Sequence, residues 1–250
     1  MIEAFYQKLA IPDPCFLGKR VYKKLFYENA PLNATDKKAF TDDIEDIQWR
    51  YTLKPETINI ASYEDGEREY HEVAIIQVSL KSPQHYKRMA QVIQRAIPYP
   101  LLVIFTEGSR IALSVADKRI NRADRQKIRV EAFYETDWMD LTNLSEVEAI
   151  FLENCTITHF SYHNFYAFYG DLVARIIALN CSKLSGSYAL ETELSQEERI
   201  DLLNSVRQTQ LKLAELRGDL KKESQFNRQL ELNIQIKKLV QELEQHKAKI

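Results

Sequence analysis

Glycine is scarce in this chain, at six of 250 residues, and the loops that cradle phosphates are missing with it. There is no Gly-rich phosphate loop, no G-x-S-x-G elbow, no dinucleotide fingerprint and no H-E-x-x-H helix, which argues against NTPase, serine hydrolase, Rossmann enzyme and metalloprotease. Cysteine is nearly absent too: Cys15, Cys155 and Cys181 are an odd number without a C-x-x-C pair, as expected of reduced thiols inside a cell. No uninterrupted apolar stretch opens the chain, so neither a signal peptide nor a membrane span is expected, and the protein reads as soluble and cytoplasmic. An excess of one charge is also lacking. A net charge of -2 and a pI near 6.3 give no global pull toward nucleic acid, so any such contact must come from a local patch.

What is present is apolar patterning. A short opening helix is followed by a turn over Ile11 to Phe16 and a helical pattern in which Val21, Lys24, Leu25 and Glu28 share a face. Thr35 is the expected N-cap of a helix running to about Ile44, and Trp49, Tyr51 and Leu53 alternate as a strand, with a second short strand near Ile58 and Ile60. Tyr70 to Lys81 is the expected central strand, because its apolar run is nearly continuous and therefore fits cover on both faces. Ser82-Pro83 is read as the start of a helix through Ile97, after which strands are expected at Leu101 to Phe105, Ile111 to Val115 and Ile128 to Phe133. Ser145 with Glu148 predicts a capped helix, and the aromatic cluster from Phe160 to Tyr169 leads into another. The fold class is α/β, a mixed sheet flanked by helices, over residues 1–185, with a linker at 186–195.

Residues 196–250 contain no proline and one glycine, Gly218, and carry heptad spacing. Leu202, Val206, Thr209, Leu213, Leu216 and Leu220 form one seam; Leu232, Ile236, Leu239, Leu243, His246 and Ile250 form another. Between Leu220 and Leu232 the phase breaks. With no turn residues at Lys221 to Asn227, one long coiled-coil helix is favoured, and Gly218 leaves a hairpin open. Such a seam suits oligomerisation, as a homodimer or through a partner subunit.

Three constellations could carry chemistry. The segment 117–129 sets six basic residues, Lys118, Arg119, Arg122, Arg125, Lys127 and Arg129, against two acidic ones, and arginine forks suit phosphate oxygens. A metal-dependent nuclease of the PD-(D/E)xK type would use Asp65, Glu72 and Lys81, although Ser79 stands where that design needs a carboxylate, with Gln77 on the same face. Cys155, His159 and His163 recur every four residues, yet Thr156 and Thr158 favour an extended segment and a fourth ligand is missing. No resident metal or cofactor is expected.

Five ordered segments together resemble a prokaryotic family known only as a domain of unknown function: Thr35 to Asp43, Tyr51 to Ile60, Arg95 to Pro100, Ala116 to Asn121 and Lys222 to Arg228. The resemblance implies genomic company with SNF2-type or DEAD-box-type helicases and DNA methyltransferases in restriction or phage-defence loci, and supplies no catalytic residues. The expectation is a non-catalytic accessory subunit with a helicase or DNA methyltransferase as partner, contacting nucleic acid through 117–129. The nuclease and a purely structural oligomerisation module are the alternatives.

Overall fold

Val73 to Leu80 is apolar at almost every position, and the fold uses it as a strand buried from two sides. The computed structural model describes residues 2–29, 32–120 and 128–249. It divides into two compact units, Met1–Ile176 and Ile177–Ile250.

The first unit opens with α1 (Ile2–Leu9), β1 (Phe16–Arg20), α2 (Lys23–Asn29), α3 (Ala34–Asp42), β2 (Ile44–Leu53) and α4 (Pro55–Ile58). It continues through β3 (Tyr63–Glu64), β4 (Glu69–Tyr70), β5 (Val73–Leu80), α5 (Tyr86–Ala96), β6 (Leu101–Glu107), β7 (Arg110–Ile120), β8 (Ile128–Glu135), β9 (Met139–Asp140) and α6 (Glu146–Asn154). Helix α7 (Phe165–Ser185) crosses the unit boundary. Seven strands form a mixed sheet in the order β1-β2-β5-β6-β7-β8, with β9 on β7; only β5 and β6 run parallel, joined by α5.

Alternation along β5 assigns the two faces. Ala74, Ile76, Val78 and Leu80 pack with Phe26 of α2, Phe40 of α3 and Met89 and Ile93 of α5. Val73 and Ile75 point the other way, toward Leu9 of α1, Ile157, and Phe168 and Leu172 of α7. The result is the expected mixed α/β architecture.

Local chemistry shifts several predicted boundaries. Asn33, not Thr35, caps α3: its Oδ1 accepts the Asp36 N–H at 2.8 Å, leaving the Asp36 carboxylate to take two hydrogen bonds, 2.7 and 2.6 Å, from Arg88 of α5. In place of a strand at Ile58, Pro55 starts a one-turn helix ended by left-handed Asn59. Helix α5 begins at Tyr86, beyond Ser82-Pro83. Phe16–Arg20, expected as turn and helix, is an edge strand. The Ser145–Glu148 capping box forms as read from the sequence.

The second unit is a helical hairpin after residues 186–195. Helix α8 (Gln196–Lys222) ends at Glu223, and α9 (Phe226–Lys247) folds back on it. The continuous helix favoured by the sequence does not form. Gly218 lies inside α8; the break is made by the Glu223 carboxylate, which accepts the N–H groups of Ser224 and Gln225, both at 2.8 Å. Those backbone donors hold the Glu223 carboxyl below its ordinary range.

Candidate functional site

Four groups of side chains bear on function, and register decides how they combine. Lys118, Arg119 and Arg129 lie in strands rather than in a loop, because β7 runs on to Ile120 and pairs with β8 through Lys118↔Val130 and Arg119↔Arg129. Lys118 is buried, its Nζ donating to the Ile97 and Tyr99 carbonyls at 2.7 Å each, and burial pushes its ammonium well below the usual lysine range. It clamps a loop and cannot meet a phosphate. Arg119 pairs with Glu67 at 3.0 Å and lies 3.8 Å from Asp117, while Arg129 pairs with Glu131 at 3.2 Å. The predicted contacts Arg122, Arg125 and Lys127 lie outside the described residues.

Asp65, Glu72 and Lys81 do not converge. Glu72 precedes β5 and Lys81 follows it, so at about 3.3 Å per residue they stand roughly 30 Å apart. Asp65 sits at the Glu72 end, since Glu67 accepts the Ile120 N–H there, and its carboxylate is engaged by the Glu67 and Arg68 N–H groups and by the Tyr63 hydroxyl. Glu72 pairs with Lys54 at 3.4 Å. One metal cannot be shared by this trio, and the described residues of the basic segment, Lys118, Arg119 and Arg129, lie at the opposite end of the sheet from Lys81.

A different set of residues lines the β2–β5–β6 strip before Lys81. Gln77 and Ser79 face Gln48 and Asp46 across the β2–β5 pair, and Thr106 of β6 lies beside Ser79. Tyr6 donates to Gln77 at 3.1 Å, Gln77 to Ser79 at 3.4 Å and Thr106 to Ser79 at 3.3 Å. The strip holds one carboxylate, Asp46, whose oxygens already accept from Gln48 at 2.8 Å and Arg20 at 3.1 Å. Hard divalent cations need several oxygen ligands, and among the described residues no group of three His, Cys, Asp or Glu side chains could hold a metal ion. This strip can hydrogen-bond a polar ligand; it has no pair of carboxylates to activate water.

Thiol chemistry is equally closed off. All three cysteines are buried, and burial pushes the Cys155 thiol up to about 12.

The seams expected to serve oligomerisation meet each other within one chain. Val206 and Leu213 of α8 pack with Ile236, Leu239 and Leu243 of α9, while Leu202, Leu216, Leu220 and Leu232 are half-buried along the same seam. A second set is left outside: Leu211, Phe226, Leu230 and Ile234 are at least half exposed, with Phe226 at 75%. The sequence reading missed this set, although its spacing on α9, every fourth residue, was visible. It also missed the β1–α2 edge, where Leu17, Tyr22 and Leu25 are exposed beside Lys19 and Arg20.

No helix among the described residues is long and apolar enough to cross a membrane. Neither the curated proteins nor the solved structures contain a match to this chain. A family model described as a domain of unknown function, DUF4391, matches residues 9–243, and the chain therefore belongs to that family.

Proposed function

We propose that this protein is a non-catalytic interaction subunit of a DNA-directed restriction or phage-defence assembly, with a helicase or DNA methyltransferase as its partner. The reading is supported chiefly by the hairpin, which has closed its own heptad seam and still carries exposed Leu211, Phe226, Leu230 and Ile234. Large apolar side chains grouped outside a satisfied seam mark a surface that another chain covers. Nucleic-acid contact through 117–129 would fall to Arg122, Arg125, Lys127 and Arg129, the last paired with Glu131 but 72% exposed, because Lys118 is buried and Arg119 lies between Glu67 and Asp117.

Mixing the full-length protein with a SNF2-type or DEAD-box-type helicase, or with a methyltransferase, encoded beside it tests the reading by size-exclusion chromatography. Co-elution is expected, and Leu230→Lys with Ile234→Lys should abolish it while leaving the far-ultraviolet circular dichroism unchanged. Failure to co-elute with either enzyme would refute the proposal. Light scattering separates the rival oligomerisation module: a doubled mass for the chain alone, returned to 29.3 kDa by the same substitutions, would put that module in its place.

A further inference from the structure

The first unit carries an apolar pocket that nothing above uses. It lies beside β1, has a volume of about 330 Å³, and is walled by Leu17, Val21, Leu25, Phe26, Trp49 and Ile97. That volume falls at the small end of ligand sites, room for one or two large side chains. The charged groups on its wall are Lys19 and Arg20; no acidic residue lines it. Lys19 has no ion pair among the described residues, and the Arg20 side chain, paired with Asp46 on the opposite face of the sheet, is 66% exposed. Leu17 and Leu25 of its wall stand in solvent at 39% and 49% exposure, and Tyr22, next in sequence to Val21, is 67% exposed.

The backbone beside the pocket is also open. β1 is the terminal strand of the sheet order, and all five of its residues are exposed. A strand in that position keeps one row of N–H and C=O groups free to pair. Its reach is short, because the register against β2 slips between Phe16 and Lys19, where Gly18 adopts φ +61° and a Cβ would come within 2.8 Å of the Phe16 ring. A bulge of this kind twists the edge and disfavours long pairing with a second β1.

We propose that the β1 edge and its pocket form a docking site for a short, extended, acidic peptide segment of another protein. A large apolar side chain of the peptide fills the pocket, a carboxylate meets Lys19, and a few backbone hydrogen bonds run along β1. The site is separate from the hairpin surface and goes beyond the proposed function, so either can fail alone.

The test uses the full chain and a fluorescent probe peptide, Asp-Glu-Leu-Trp-Leu-Glu-Asp, with a control in which lysine replaces each acidic residue. Fluorescence anisotropy should show saturable binding of the acidic probe and binding at least about tenfold weaker for the lysine control. Leu25→Glu and Lys19→Glu should each weaken the acidic probe at least about tenfold. Both positions are exposed, and Lys19→Glu carries the test alone if Leu25→Glu does not fold. Leu230→Lys on the hairpin should leave probe binding unchanged while disrupting the helicase or methyltransferase complex. Absent or charge-blind binding overturns the proposal. So does displacement of the probe by duplex DNA, which would make the edge a nucleic-acid surface, or a doubled mass of the free chain that Leu25→Glu abolishes, which would make it a contact between copies.

Discussion

Two regions of the sheet bear clustered cations, and they treat their lysines in opposite ways. At the β7–β8 end, Lys118 is folded inward onto two carbonyls, and Arg119 and Arg129 are matched by Glu67 and Glu131. At the β1 edge, Arg20 is likewise matched by Asp46, but Lys19 is unpaired among the described residues and stands beside exposed apolar side chains. Lys118, in the richer basic run, is thus less available in space than Lys19 on the short edge strand. Charge density along a chain marks a binding surface only where burial and acidic neighbours leave it free.

The largest expected effect that sharpens this contrast is on stability. Lys118→Ala removes a buried stem and leaves the Ile97 and Tyr99 carbonyls without a donor, at a cost of about 2–3 kcal/mol in urea unfolding. A loss no larger than that of an exposed lysine would break the comparison.

Its titration gives a second handle. With the folded-state pKa of Lys118 depressed by burial, the unfolded chain binds the extra proton, so this residue's contribution rises with pH up to the ordinary lysine range. Lys118→Met should flatten that slope in a pH series of unfolding midpoints; an unchanged slope would deny that the group is buried. Arg119→Ala comes next. Its pair with Glu67 is about one-third exposed on each side, and losing it should cost about 0–1 kcal/mol. Smallest is Lys19→Ala, expected to change stability by no more than about 0.5 kcal/mol while weakening the acidic probe.

Regular patterning was legible in the sequence, and side-chain intervention in the backbone was not. The apolar run of β5 named the central strand because nothing interrupts it, and Ser145 with Glu148 announced the start of α6. β7 was read too short because Asp117, Lys118 and Arg119 resemble a loop, whereas Lys118 turns inward at a bulge. β1 was missed because its bulge at Gly18 destroys the alternation that identifies strands. The hairpin was disfavoured for want of turn residues, yet Glu223 ends α8 with its own carboxylate.

The polar strip shows the same limit. Gln77 and Ser79 share a face, as their spacing predicts, but Asp46 and Arg20 come from strands whose registers carry bulges. No spacing rule links them to Ser79 in sequence. Asp65 and Glu72 were grouped with Lys81 by nearness in the chain, which a strand converts into distance.

Hydrogen exchange on the full chain, with and without the acidic probe peptide, bears most directly on which cation-bearing region meets a partner. The expected result is slowed exchange within residues 16–25 and no change at 118–120 or 128–131. Slowed exchange at the β7–β8 end with residues 16–25 unaffected would contradict the assignment of the β1 edge as the working surface.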